Sequence, residues 1–467
     1  MIELTQPENQ LFKVLLAAVD VGKLKVTLRV AGGWVRDKIL KRPSSHDIDI
    51  ALDTMTGIQF VEILHSYLKE EGVPVRGFGV IPKNPEKSKH LETATLQIFD
   101  FWIDFVNLRD ESLEFGSPKD DAHLRDFTVN SLFFNINESK IEDFTESGMS
   151  DIESGLIRTP LDPLKSLGDD PLRVIRGFRF AARFGYAIEE GTLKAMKDPK
   201  IQETFATKIS KERIGSEFLS NFSNVSHSKD PFRFLQLIQE TEYWPILLGS
   251  NDAKWVDGGF VNMRRVWDLI DLLKEDIQYI TKNEEGTDPA KQLSEEEFVM
   301  FILLAVFTLE SFDPKIKDER KQFVYQFITN GLKLAHKYAQ FAANLHVNFH
   351  ELKRIAENQG PIDSLKALGF WQRSAEAMWP LVESLLNIIL YNYDFAGNKI
   401  LDLKQFFSQQ GVADFYKFKP LLNGLEIKEL FGAKKEEIRV RQTEVLTWQL
   451  HNPLGTKDEY LKEYRAS

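Results

Sequence analysis

Between Leu28 and Asp53 the chain reads LRVAGGWVRDKILKRPSSHDIDIALD, an order of residue types that few folds accommodate. A short apolar run ends at Gly32-Gly33. One or two helical turns follow, then a Pro-Ser-Ser loop and a second strand in which Asp47 and Asp49 alternate with Ile48 and Ile50. Side chains alternate faces along a strand, so the isoleucines turn to a core and the two carboxylates share a wet face. Such a face suits a hard divalent cation. A lone D-x-D is equally an amphipathic strand with one solvated side. What turns the reading towards phosphate chemistry is the upstream Gly32-Gly33, where backbone amides and a helix N-terminus can receive a phosphate.

At 467 residues with 43% hydrophobic content, the chain has material for two to four packed units. No apolar run approaches the length of a bilayer-spanning helix, so no membrane association is expected. The opening MIELTQPENQ carries Glu3 and Glu8 and no basic residues, which predicts neither a secretory nor a mitochondrial leader. The expected location is cytoplasmic, with a nuclear or mitochondrial pool left open. The absence of cysteine excludes disulfides, thiol catalysis and Cys-containing zinc sites. His346 and His350 lie one helical turn apart, but Glu351 points about 100° further round, so they read as ordinary histidines. A net charge of −11 argues against broad, non-specific nucleic-acid binding and leaves room for a local basic groove.

Apolar periodicity predicts helices over residues 8 to 22 and 58 to 71. GFGVIP, HLETATLQIF and WIDFVNLR read as strands, giving an α+β unit with a small mixed, mostly antiparallel sheet. In WIDFVNLR, Asp104 alternates with Ile103 and Phe105 and falls on a strand neighbouring Asp47 and Asp49. RDFTVNSLFFNI places Arg125, Asp126 and Asn130 together. In SLGDDPLRVIRGFRFAARFGY, Asp169, Asp170 and Pro171 have the composition of a helix start, and Arg173, Arg176, Arg179 and Arg183 are spaced to share a helix face. From about Asn221 the pattern is almost wholly helical. Lys315, Lys317, Lys333, Lys337 and Lys353 fall there, where solvated helix faces explain them as well as a phosphate groove does.

GGWVRD followed by HDIDIA resembles the tRNA nucleotidyltransferase branch of the DNA polymerase β superfamily. Arg125, Asp126 and Asn130 match its RDxxxN motif, residues 141 to 158 its hinge, Asp170 and Arg173 its [ED]DxxR motif, and Glu212-Arg213-Ile214 with Glu217 its last motif. Together these five motifs resemble a class II member, and the strands LETATLQIF and WIDFVNLR resemble those of its eukaryote-like members. The resemblance implies a polymerase β-like nucleotidyltransferase head over 1–140, an all-α neck over 141–220, a helical body over 221–350 and a tRNA-binding tail over 351–467. The implied partners are tRNA, CTP and ATP, and the reaction transfers CMP and AMP to the tRNA 3′ end with release of pyrophosphate. No protein partner is readable.

The resemblance also implies roles. Asp47 and Asp49 would hold Mg²⁺ and Asp104 would assist, while Gly32, Gly33 and Arg36 would hold the triphosphate. Arg125, Asp126 and Asn130 would bind sugar and phosphates, Asp170 and Arg173 would read the base, and Arg176 and Arg179 would bind the nucleotide phosphates. Two features depart from the family. Leu124 stands where a second arginine is usual, and the loop before it is short. Both raise a CC-only enzyme as the alternative, ahead of a poly(A) polymerase or an inactive RNA-binding scaffold.

Overall fold

The structure is a computed structural model describing residues 2–43, 47–81, 93–112, 115–222, 229–248, 327–333, 339, 418–452 and 454–466. It divides into two compact units, Met1–Ile209 with Ser228–Tyr243, and Ser210–His227 with Trp244–Ser467.

The first unit opens with α1 (Gln6–Val21), whose start is set by a capping box. Thr5 accepts from the Glu8 amide while the Glu8 carboxylate accepts from Thr5, so two otherwise orphan amides are satisfied. Then come β1 (Leu28–Ala31), α2 (Gly33–Ile39), β2 (Asp47–Leu52), α3 (Gly57–Glu70), β3 (Val75–Ile81), β4 (Thr93–Ile98), β5 (Phe101–Asn107) and α4 (Pro118–Leu124). A 3₁₀ turn at Thr128–Asn130 leads into β6 (Phe133–Asn135) and β7 (Lys140–Glu142). The strands form one sheet in the order β3-β4-β5-β2-β1-β6-β7. Among the described residues, β2 and β5 run parallel and the sheet's other pairings are antiparallel, as expected.

One sheet face is sealed by Ile48, Ile50, Leu96, Ile98, Ile103 and Phe105, all buried with Phe60 and Leu64 of α3. The Phe60 and Phe105 rings lie 5.2 Å apart between centroids. Contact is so close at the head of α3 that a Cβ on Gly57 would fall 2.1 Å from the Phe105 carbonyl oxygen. With one face so occupied, the alternate residues of β2 and β5 are left to line the other.

Next come α5 (Gly148–Ser154), β8 (Leu156–Ile157), α6 (Pro163–Asp169), α7 (Arg173–Phe184), β9 (Ala187–Ile188), α8 (Glu190–Met196), α9 (Pro199–Lys208), α10 (Lys211–Phe222), α11 (Pro231–Glu240) and α12 (Trp244–Leu248). The expectation that Asp169-Asp170-Pro171 starts one helix is corrected here. Asp162 and Pro163 start the separate helix α6, and Asp169 closes it. Pro171 has no amide to continue that ladder, so the chain turns at Asp170 and α7 begins at Arg173.

In the second unit, α10 carries Glu212, Arg213, Ile214 and Glu217, and a Cβ on its Gly215 would fall 2.0 Å from the Leu332 carbonyl oxygen. Its last part folds as α13 (Gly424–Phe431), α14 (Lys435–His451) and α15 (Lys457–Ala466) around Leu422, Ile427, Val445 and Tyr460. The helical patterns in PFRFLQLIQ and VLTWQL are thereby observed in α11 and α14. Those in FVMFILLAVFTL and FWQRSAEAMWPLVESLLNIIL, with His346, His350, Lys315, Lys317, Lys337 and Lys353, lie outside the described residues. Among the described residues no helix is long and apolar enough to cross a membrane.

Candidate active site

The parallel pairing of β2 with β5 sets Asp49 directly beside Asp104, with Asp47 two residues back on the same face. Thr95 of β4 donates to the Asp104 Oδ1 at 2.6 Å, which fixes that carboxylate in the row. Asp47 and Asp49 both reach solvent, but the protein crowded around Asp49 desolvates its carboxylate and raises its pKa. Arg125 opposes that rise, while Asp104 and Asp47 add to it. A pair of carboxylates such as Asp47 and Asp49 suits a hard cation that takes one or two protein carboxylates and completes its shell with phosphate oxygens and water. Among the described residues no three acidic or imidazole groups are placed to hold a metal ion together.

β1 delivers the chain to Gly32, whose φ of +72° is natural to glycine alone and whose amide donates to the Leu132 carbonyl at 3.1 Å. A Cβ there would come within 3.0 Å of an Arg125 nitrogen. Gly32 and Gly33 thus form a low backbone wall beside two arginines. Arg36 donates from Nε and Nη2 to Asp37 at 2.9 and 2.8 Å, hydrogen-bonds the Asn130 side chain through Nη1, and stacks 4.5 Å from the Phe184 centroid. Arg125 is clamped by Asp121, which accepts from its Nε at 2.9 Å and also from Arg109 Nε at 3.2 Å.

Asp126 is a junction. Its Oδ1 accepts from the Phe127 amide and from Asn130 Nδ2, and its Oδ2 accepts from Arg176 Nε at 3.0 Å and Nη2 at 2.7 Å. Burial alone would raise its pKa, but the charge of Arg176 and the hydrogen bonds from Asn130 and Arg176 hold it far below the usual carboxylate range. The result is a continuous chain Arg36, Asn130, Asp126, Arg176 linking α2, the 3₁₀ turn and α7.

On α7, Arg173 donates to Ser166 Oγ and to the Leu124 carbonyl, each at 2.6 Å. Two of its five N–H groups are used in fixing its plane. Desolvation by burial lowers its pKa, against the raising influence of Asp126 and Asp170. Asp170 caps the turn by accepting from the Leu172 amide at 3.3 Å. Arg176 lies 5.3 Å from the Phe180 ring one turn on.

A cavity of about 380 Å³ gathers Gly32, Gly33, Arg36, Asp49, Arg125, Asp126, Asn130, Asp170, Arg173 and Arg176. Of the expected site residues, Asp47, Asp104 and Arg179 are not in its lining. Asp47 and Asp104 flank Asp49 in the sheet, and Arg179 is buried with its guanidinium 4.4 Å from the Phe180 centroid. The lining adds Arg109 and Phe180, which the sequence reading did not single out, and Leu124, which it noted only as the place of a missing arginine. Nor did it single out Asp121, although its i, i+4 spacing to Arg125 was a usable signal. Arg109 had no local signal, because Asp121 meets it only through the fold.

Residues 28–158 match the family described as the poly(A) polymerase head domain. Over 510 aligned residues the chain is 32% identical to the mitochondrial CCA tRNA nucleotidyltransferase of Candida glabrata, covering 98% of this chain and 95% of that protein. It is 31% identical to the mitochondrial CCA tRNA nucleotidyltransferase of Saccharomyces cerevisiae, with 100% and 94% covered. In fold it is similar to the Bacillus stearothermophilus CCA-adding enzyme solved in complex with CTP, with a TM-score of 0.64 at 17% identity over 99% of this chain and 98% of that one.

Proposed function

This chain belongs to the CCA tRNA nucleotidyltransferase family, and from that premise we propose that it adds CMP and then AMP to the 3′ end of tRNA, releasing pyrophosphate. The acceptor's 3′ hydroxyl attacks the α-phosphate of CTP or ATP. Asp47 and Asp49 would hold a divalent cation, which we take to be Mg²⁺ and which would supply Lewis-acid charge neutralisation for the transfer. Asp104, held by Thr95, orients that hydroxyl and receives its proton.

Arg36, Arg109 and Arg125 hold the triphosphate over the Gly32-Gly33 backbone, since fixed guanidinium groups make strong charge-assisted bonds to phosphate. Asp126 and Asn130 act on the nucleotide mainly by fixing Arg176 and Arg36. Asp170 and Arg173 choose the base. A carboxylate accepts from the exocyclic amine of cytosine or adenine while a guanidinium donates to the adjacent ring acceptor. Uracil and guanine present a carbonyl where the amine is required, leaving oxygen against oxygen.

The observation that carries this reading is that one cavity gathers Asp170 and Arg173, the clamped arginines and Asp49, which Asp47 and Asp104 flank in the sheet. The CC-only alternative loses ground because the full-length relatives are named CCA tRNA nucleotidyltransferases. Those names also specify the mitochondrion, so we propose a mitochondrial pool beside the cytoplasmic one.

The test is incubation of purified protein with tRNA ending at the discriminator base, scored by product length. Two nucleotides should be added with CTP and three with CTP plus ATP. A halt at two with both nucleotides present would establish the CC-only enzyme, and long A tails on generic RNA would establish a poly(A) polymerase. No incorporation by folded protein in Mg²⁺ would overturn the proposal.

A further inference from the structure

We infer that Trp102 is a stacking platform for the 3′-terminal base of the single-stranded acceptor RNA, a role that rests on the nucleotidyl transfer proposed above. Trp102 is 45% exposed on β5, where its neighbours Phe101 and Ile103 are buried. An indole left in water on a strand with a buried side to offer is an unusual expense, and it stands on the carboxylate face. Strand register places Arg76, Gln97, Trp102 and Asp47 in one row across β3, β4, β5 and β2, and Thr95, Asp104 and Asp49 in the next. Trp102 is therefore one strand, roughly 5 Å, from Asp47 and two residues, roughly 7 Å, from Asp104.

The ring has a prepared seat. Gly77 has φ +78°, and the β3–β4 register shifts between Arg76 and Phe78. A Cβ on Gly77 would come within 3.1 and 3.3 Å of Trp102 Cη2 and Cζ3. The indole thus packs on bare backbone, and a side chain at position 77 would displace it.

Acceptor chemistry selects the occupant. The attacking hydroxyl must reach the Asp49–Asp104 row, so its own base lies about one ribose away, the offset of Trp102. That base changes with each addition, being first the discriminator and then cytosine. Hydrogen-bond readout suited to one base would reject the next, whereas an aromatic face stacks on any of them. Arg76, exposed in the same row, supplies a cation for the adjoining backbone phosphate.

Trp102→Ala and Trp102→Phe in the full chain test this by steady-state CMP incorporation into tRNA ending at the discriminator base. Trp102→Ala should raise the acceptor KM roughly five- to hundred-fold, with the CTP KM unchanged, and Trp102→Phe should retain most of the affinity. A short single-stranded RNA titrated without divalent ion should quench tryptophan fluorescence in the wild type, and Trp102→Phe should lose that component. An unchanged acceptor KM in an active Trp102→Ala enzyme would overturn the inference, as would a change confined to the CTP KM. If Trp102→Ala fails to fold, the fluorescence comparison decides. If the wild type itself adds no nucleotide, the parent reading has failed instead, and the quench still tests stacking.

Discussion

Asp49 and Asp126 line the same cavity in opposite electrostatic conditions. Asp49 has two like charges for neighbours, and desolvation together with Asp104 and Asp47 raises its pKa against the pull of Arg125. Asp126 is also desolvated, yet Arg176 and Asn130 draw its pKa far down. The first carboxylate keeps like charges for neighbours, the condition that the proposed cation site requires. The second is already neutralised, and its work is to join α7 to the 3₁₀ turn. Two aspartates in one site thus divide into a joint and, on the proposed reading, a ligand, and the division follows from which cations the fold places within reach.

Replacing each one tests that division. Asp49→Asn should cut nucleotide incorporation roughly hundred-fold or more, while raising the melting temperature of the metal-free protein at neutral pH. The sign follows from its raised folded pKa: the ionised form costs stability once pH exceeds that value, and the amide removes the cost. A lowered melting temperature would put Asp49 among the satisfied carboxylates. Asp126→Asn should instead destabilise by about 2–3 kcal/mol, because it strips the charge facing Arg176. Since the folded pKa of Asp126 is depressed, its contribution is complete above the unfolded value of about 3.9 and lost as pH falls through the folded one. Melting curves of variant and wild type should stay equally separated from neutral pH down to about 5 and converge only in stronger acid. Convergence near neutrality would sink the joint.

Asp121→Asn probes a second joint with a smaller effect, since Arg109 and Arg125 are partly solvated at 24% and 20% exposure. About 1–2 kcal/mol of stability should be lost, and the CTP KM should rise roughly ten-fold because two arginines lose their clamp. A fall in kcat with the KM unchanged would contradict a positioning role.

The alternation DIDI was enough to place Asp47 and Asp49 on one face, and the period of two in WIDFVNLR did the same for Asp104. That they meet depends on β2 and β5 pairing in parallel with Asp49 opposite Asp104, and register between distant strands has no local signature. The arginines of α7 show the same limit. Their spacing marks a shared face, but Arg173 and Arg176 reach the cavity lining while Arg179 is buried over Phe180. Leu124 reads as a missing arginine in the sequence. In the fold its carbonyl anchors Arg173, a contribution independent of side-chain identity.

The sequence by itself determined the elements and the chemistry they carry: a glycine turn, two carboxylate strands and a basic helix, all local consequences of backbone preference and period. Only the tertiary structure decided which charges are spent on one another and which remain for a ligand. Ion pairing and desolvation act between residues far apart in the chain, so Asp126 becomes a joint while Asp49 keeps like-charged neighbours, although each is only an aspartate beside an apolar neighbour in the sequence. Trp102 obeys the same rule. Its exposure and its place beside Asp47 are properties of a register.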